Sequence, residues 1–227
     1  MKLILIRHGQ SEANLANLFT GWFDSPLTDK GKADAYQAGC RLKAEGIRLD
    51  AAYSSLLSRA IQTTYFVLSA MDQLYLPYQK DWRLNGRHYG ALEGHNKQAM
   101  KDKYGADQVH AWRRTFDVRP PLDPAGIQDP RYKDLDQGVL RAGESLKDTL
   151  DRVAPYWQDE LAPALKAGQN ILMVGHGNGL RALVKYIENI SDDAIESVEI
   201  PNAQPIVYDF DSDLTIQSRQ ILKSDQP

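Results

Sequence analysis

At 227 residues, with 42% hydrophobic and 25% charged side chains, the chain is long enough for one domain with a full core and too short for two of ordinary size. Its formal charge of -3 offers no global attraction to nucleic acid or an anionic membrane, so any affinity for phosphate must come from a local cluster of cations. The lone Cys40, read as a buried helix residue, excludes an internal disulfide, and neither the apolar run after Lys2 nor any later stretch reaches the ~18 residues of a membrane span, so a cytoplasmic protein is expected.

Leu3-Ile4-Leu5-Ile6, released at Arg7-His8-Gly9, reads as a buried parallel-type strand that delivers Arg7 and His8 at its carboxyl end. A loop of polar and small residues follows from Gly9 to Pro26. Thr28 suits the N-cap of a helix over 29–45, with Asp29 in its first turn and Gly46 as the stop. A short strand over 49–53 precedes a helix opened by Ser54-Ser55 and running to Met71. Near its start Arg59 meets free backbone N–H groups that favour an anion. The pattern then predicts a strand over 78–84, short helices over 97–104 and 108–114, and a proline-rich irregular excursion over 117–136. A long helix over 144–166, kinked or broken by Pro155 and Pro163, leads to a second apolar strand, Ile171-Leu172-Met173-Val174, which ends in Gly175-His176-Gly177. A helix over 180–189, a strand over 205–210 and an edge segment with a polar tail over 214–227 close the chain. Strands alternating with helices predict an α/β fold, a mostly parallel sheet flanked by helices on both faces.

Two buried strands that each end in His-Gly are poorly explained by packing, because a core strand gains nothing from a polar ring at its carboxyl end. In open α/β sheets that end is where ligands bind. A histidine can serve as nucleophile, general base or metal ligand. Neither His8 nor His176 has a carboxylate or second histidine at ligand spacing, so no metal site is expected. There is no Gly-x-Ser-x-Gly elbow either, which leaves Ser11 a weak candidate nucleophile. The loops do carry Arg7, Arg59, Arg87, Arg113 and Arg114, with Lys97. The forked guanidinium matches phosphate oxygens, so arginines converging on a histidine pair suit phosphoryl transfer. In that chemistry His8 attacks phosphorus through a neutral ring nitrogen, kept unprotonated by nearby cations. His176 donates to a non-bridging oxygen and, with the arginines, holds the charge of the transition state. A separate acid or base must serve the hydroxyl. No catalytic role is expected of His88, His95 or His110; the first would aim Arg87 and the others would lie at the surface.

At this point the residues resemble a known family, the cofactor-dependent phosphoglycerate mutases of the histidine phosphatase superfamily. The resemblance rests on Arg7-His8-Gly9 followed by Ser11 and Asn14, on Phe19-Thr20-Gly21-Trp22, Arg59-Ala60-Ile61 and Arg87-His88-Tyr89-Gly90, and on Trp112-Arg113-Arg114 and His176-Gly177-Asn178. Arg-His-Gly alone marks only the superfamily, whereas the Phe-Thr-Gly-Trp, Arg-His-Tyr-Gly and Trp-Arg-Arg segments point to the mutase branch. The resemblance implies a mutase-like fold and interconversion of 3-phosphoglycerate and 2-phosphoglycerate, primed by 2,3-bisphosphoglycerate, which phosphorylates His8. It implies that Arg7, Arg59 and His176 surround the transferring phosphoryl group. Asn14, Thr20, Gly21, Arg59, Arg87, Tyr89, Lys97, Arg113, Arg114, Gly177 and Asn178 would hold the phosphate and carboxylate of the substrate. It implies no metal, small phosphorylated three-carbon acids as ligands, and a homodimer or a pair of dimers.

The chain departs from the family motif at Gly86, where the mutases carry the glutamate that serves as general acid and base. Glycine transfers no proton, and acid–base catalysis is typically worth ~10²–10⁴-fold, so ligand binding with slow turnover is expected. Glu12, Glu93 or a water could stand in, but an empty position is the favoured account. Lesser departures are Gly143 and Gly179 at helix starts where the family more often has a hydroxyl, and a slightly shortened loop near Ala125. A phosphatase that passes the phosphoryl group from His8 to water is the second reading, and a non-catalytic phosphometabolite-binding protein the third.

Overall fold

The computed structural model describes residues 1–136, 140 and 143–223. In chain order the elements are β1 (Lys2–Arg7), α1 (Glu12–Leu15), α2 (Asp29–Ala44), β2 (Ala51–Ser54), α3 (Ser58–Ala70), β3 (Tyr78–Lys80), α4 (Lys97–Tyr104), α5 (Ala106–Arg114), α6 (Leu146–Tyr156), α7 (Ala162–Lys166), β4 (Ile171–Gly175), α8 (Gly177–Glu188), β5 (Ile206–Phe210) and β6 (Ile216–Ile221). The sheet order is β3-β2-β4-β1-β5-β6, parallel from β3 to β1 and antiparallel at β5 and β6. The expected mostly parallel α/β architecture is what the chain adopts.

The strand β1 is apolar without alternation because both of its faces are covered. Leu3 and Leu5 pack with Val153, Leu180 and Leu183 under α6 and α8, whereas Ile4 and Ile6 pack with Ala38, Leu42 and Val67 under α2 and α3. All four side chains are fully buried, and each contributes about 1.5–3 kcal/mol of transfer free energy. Cys40 lies in α2 but is only partly buried. No helix among the described residues is long and apolar enough to cross a membrane.

Several boundaries differ from the sequence reading, each for a local reason. The loop after β1 contains α1, closed by a capping box between Ser11 and Asn14. The helix expected from Ser54-Ser55 starts only at Ser58: Ser54 ends β2, Ser55 faces the site, and the N-cap residue Leu57 has no side chain that could cap. Asp24 caps from a distance, accepting from Ser58 N at 2.9 Å and Ser58 Oγ at 2.7 Å. The predicted strand over 78–84 stops at Lys80, since Asp81 turns the chain into the 3-10 turn Trp82–Leu84. The second short helix begins at Ala106, just after Gly105 at φ +88°. The long helix starts at Leu146 on the N-cap Ser145, and Gly143 lies outside it at φ +153°. Between α6 and α7 a π-helical segment, Trp157–Leu161, follows Pro155, so the missing N–H groups are absorbed without ending the rod. The helix expected over 180–189 begins three residues earlier, with His176 as its N-cap. The edge segment forms β6, while residues 224–227 of the expected tail lie outside the described residues.

The exit of β1 is pinned by a close backbone approach. A Cβ on Gly9 would lie 2.3 Å from the Gly31 carbonyl oxygen, and one on Gly31 would lie 2.1 Å from that of Gln10. Gly31→Ala therefore forces the first turn of α2 away from the loop carrying His8. Its expected cost is about 1–3 kcal/mol, measured as a lower urea midpoint at unchanged slope.

Candidate active site

The pairing of β1 with β4 sets Arg7 opposite Gly175, and the chain continues the ladder one step further, His8 N donating to Gly175 O at 3.0 Å. His8 and His176 therefore leave adjacent strands side by side, with ring centroids 5.0 Å apart and planes inclined at 55°. Each of the two residues is 4% exposed. The Nδ1 of His8 lies 2.7 Å from the carbonyl oxygen of Gly9, which can only accept. The proton of the neutral ring therefore sits on Nδ1, and Nε2 keeps its lone pair. Burial, then Arg59 and Arg7, push the His8 ring well below its ordinary pKa of 6.5; burial, then Arg59 and His8, do the same to His176.

Cations close around the pair. Arg59 is 2% exposed and donates to the carbonyls of Phe23 at 3.0 Å and Gly21 at 2.7 Å; burial lowers it to about 10. Arg7 donates to Ile200 O at 2.9 Å, and Arg87 donates to Trp112 O while lying over the Tyr89 ring. The Nε atoms of Arg7, Arg59, Arg87 and Arg113, and Nη1 of Arg87, are buried with no hydrogen-bond partner among the described residues. Buried donors are almost always paired, so five open ones around one cavity are the mark of a site shaped for an anion. The cavity is about 140 Å³, and Asn14, Thr20, Gly21, Tyr89, Lys97, Arg113, Arg114, Gly177 and Asn178 line it together with the histidines and Arg7, Arg59 and Arg87. Burial, then Arg113, lower the Lys97 ammonium. Burial works to raise the Tyr89 hydroxyl, but Arg87 and Arg113 overcome it and bring it to about 8, where it accepts from Asn178 Nδ2 at 2.8 Å.

Gly86 also lines the cavity. A Cβ there would lie 3.2 Å from Gly21 O and 3.3 Å from Cγ of His176, so a side chain at this position would enter beside the second histidine. The backbone around it is held firmly. Arg152 donates to Gly86 O at 2.9 Å and Arg83 O at 2.7 Å, and is paired in turn with Glu144 at 2.6 Å. Glu144 also accepts from His88 N at 2.9 Å. Neither Glu12 nor Glu93 lines the cavity. Glu93 lies behind the wall, where its carboxylate accepts from the backbone N–H groups of Trp22, Phe23 and Tyr89. Burial raises it to about 7 against those three donors and Arg59. A Cβ on Gly21 would lie 1.7 Å from its Oε1, and Gly21 has φ +55°, so glycine is required there twice over.

The remaining histidines lie off the cavity lining. His88 accepts from Gly90 N at 2.8 Å through Nδ1 and faces Glu93 and Trp22, while the Trp112 carbonyl and Tyr89 hold Arg87. His95 and His110 are exposed. Sequence reasoning missed Ser55, Arg181 and Glu199. Arg181 donates to Asn178 Oδ1 and to the carbonyls of Arg113, Arg114 and Ile195. It stands one helical turn beyond Gly177, a spacing that becomes legible once α8 is known to start there. Glu199 pairs with Arg114 at the cavity rim, and Ser55 touches His176; both come from distant segments with no sequence signal. Among the described residues no group of three or more His, Cys, Asp or Glu side chains could hold a metal ion.

The model of the histidine phosphatase superfamily (branch 1) matches residues 3–219. The chain belongs to that superfamily, in its phosphoglycerate mutase family. It is 51% identical over 226 residues to the 2,3-bisphosphoglycerate-dependent phosphoglycerate mutase 2 of Lactiplantibacillus plantarum, covering 97% of this chain and 98% of that one. The protein of the same name from Latilactobacillus sakei is 52% identical over 226 residues, covering 97% and 99%. Among solved structures, Bacillus stearothermophilus YhfR superposes with a TM-score of 0.72 at 26% identity, over 95% of this chain and 94% of that one. Membership in the family accounts for the mutase-branch segments gathering at one cavity.

Burying neutral histidines has a measurable consequence. His8, His176 and His88, the last lowered to about 4 mainly by burial, stay unprotonated in the folded chain where unfolded rings take up protons below pH 6.5. Stability is therefore full above pH 6.5 and is lost as pH falls. Glu93 binds a proton over the same range and offsets about one ring. Between pH 6.5 and 5.5 the unfolding free energy from urea titration is expected to drop by roughly 1–2 kcal/mol, with the His8 and His176 ring nitrogens keeping neutral-ring ¹⁵N shifts throughout.

Proposed function

We propose that this chain interconverts 3-phosphoglycerate and 2-phosphoglycerate through a phosphohistidine at His8, with 2,3-bisphosphoglycerate supplying the phosphoryl group that primes it. The observation that carries the reading is the cluster of open guanidinium donors around two histidines of which one presents a bare Nε2. The named relatives, at about half identity over nearly full length, support the choice of substrate. In one half-reaction Nε2 of His8 forms a bond to phosphorus as the ester P–O bond breaks, the electron pair leaving with the substrate oxygen, which takes up a proton. In the other a substrate hydroxyl loses its proton and forms the new P–O bond as the N–P bond breaks, its electron pair returning to Nε2. Arg7, Arg59 and His176 hold the three phosphoryl oxygens. Arg87, Tyr89, Arg113, Arg114, Lys97, Asn14 and the Thr20-Gly21 and Gly177-Asn178 backbones bind the remaining phosphate and carboxylate.

For the proton on the departing oxygen, position 86 offers only glycine, neither Glu12 nor Glu93 lines the cavity, and Glu199, a carboxylate that does line it, is paired with Arg114. Water must carry it, so the reading is a mutase slowed at its proton-transfer step. Water that serves as the proton carrier in the cavity can also attack the phosphohistidine, which favours a secondary release of inorganic phosphate. We place the enzyme in the cytoplasm as a homodimer or pair of dimers.

The decisive comparison is the rate of 3-phosphoglycerate to 2-phosphoglycerate conversion with 2,3-bisphosphoglycerate, for this chain and for Gly86→Glu. The variant is expected to gain roughly 10²–10⁴-fold and to release less inorganic phosphate. A parent already as fast as the variant would defeat the account of position 86, and binding of 2,3-bisphosphoglycerate without any phosphohistidine would defeat the enzymatic reading altogether.

A further inference from the structure

Ser55 follows the end of β2, whose neighbour in the sheet is β4, the strand that carries His176. Its side chain is fully buried, and its Oγ lies 2.7 Å from Nε2 of His176. The same oxygen accepts the backbone N–H of Leu57 at 3.2 Å. For the hydroxyl proton, His176 Nε2 is the one acceptor within hydrogen-bond distance among the described residues. A neutral imidazole carries one proton, so a ring that accepts at Nε2 must carry it on Nδ1. That nitrogen is buried, has no partner among the described residues, and belongs to a ring that lines the cavity. The opposite tautomer would leave a buried hydroxyl without an acceptor and present a lone pair to an anion.

We infer that Ser55 is a positioning residue that selects the Nδ1–H tautomer of His176 and so makes the second histidine a hydrogen-bond donor to a bound phosphoryl group. The two rings are then complementary. The Gly9 carbonyl leaves His8 with a bare Nε2, and the Ser55 hydroxyl leaves His176 with an N–H. As the N–P bond to His8 forms and the ester P–O bond breaks, the proton on His176 Nδ1 stays where it is and only strengthens its hydrogen bond to a non-bridging oxygen. The assignment deepens the phosphohistidine reading and rests on it for its catalytic consequence, while the tautomer itself does not.

The test has two parts. In the intact protein labelled with ¹⁵N-histidine, and with His176→Gln used to assign the resonances, His176 is expected to show a protonated Nδ1 and a bare Nε2 at neutral pH. A protonated Nε2 in the wild-type spectrum overturns the inference whether or not the chain is a mutase. In Ser55→Ala the ring is expected to show a mixture of tautomers, and phosphorylation of His8 by 2,3-bisphosphoglycerate to slow about 10-fold at saturation, the loss of a hydrogen bond of ordinary strength, with little change in the half-saturating concentration. Ser55→Cys, which keeps the shape but donates weakly, is expected to fall between. An unchanged tautomer and rate in a folded Ser55→Ala protein overturns the inference. Failure of the wild type to phosphorylate His8 at all overturns the mutase reading instead, and leaves the spectrum to decide the role of Ser55.

Discussion

The parallel pairing of β1 with β4 is the constraint on which the rest depends. Register places Arg7 against Gly175, and one further ladder hydrogen bond, from His8 N to Gly175 O, carries the pairing into the site. A slip of one residue would invert every side chain of β1, exposing Leu3 and Leu5 to the face that takes Ile4 and Ile6 and turning His8 away from His176. Full burial of those four side chains on two covered faces holds the register, so the energy of the core is also what fixes a 5.0 Å ring separation at the carboxyl end of the sheet.

Around that pair the structure carries a deliberate imbalance. Several guanidinium groups are buried with donors unmatched, and burying an unpaired cation costs roughly several kcal/mol. The surrounding carbonyls of Phe23, Gly21, Ile200 and Trp112 offset part of that cost and hold the forks in place. What they leave unmatched is a positive field that adds to burial in keeping both rings neutral and that an anion would complete. The neutral rings and the unmatched donors thus share one origin, the burial of histidines and arginines together.

Position 86 shows the separation of scaffold from chemistry. Arg152 holds the Gly86 carbonyl and is itself held by Glu144, which also accepts from His88 N, yet the residue at position 86 is glycine. Arg152 belongs to α6 and Glu144 to the turn before it, both far from position 86 in sequence, and they act on backbone atoms and not on a side chain at position 86.

Much of this was legible in the residues themselves. Unbroken apolar runs ending in His-Gly announced two buried strands and a paired site, and the helix and strand alternation announced the mostly parallel sheet, whereas Gly86 stood out only through the resemblance to the mutase motif. The residues that the family resemblance implied for substrate binding do line one cavity. Boundaries failed where a distant group intervened: Asp24 caps α3 in place of its own N-cap residue, and a π-helical segment lets two prolines sit in a continuous rod. Ser55 and Glu199 were invisible because each acts on a residue brought near only by the fold, and Arg181 because its spacing from Asn178 has meaning only once the start of α8 is known. The sequence alone therefore determined which groups could attack, bind and polarise, because those are properties of side chains. The tertiary structure alone decided their protonation, their tautomers and which carbonyls and carboxylates oppose them, because these depend on burial and on contacts between segments far apart in the chain.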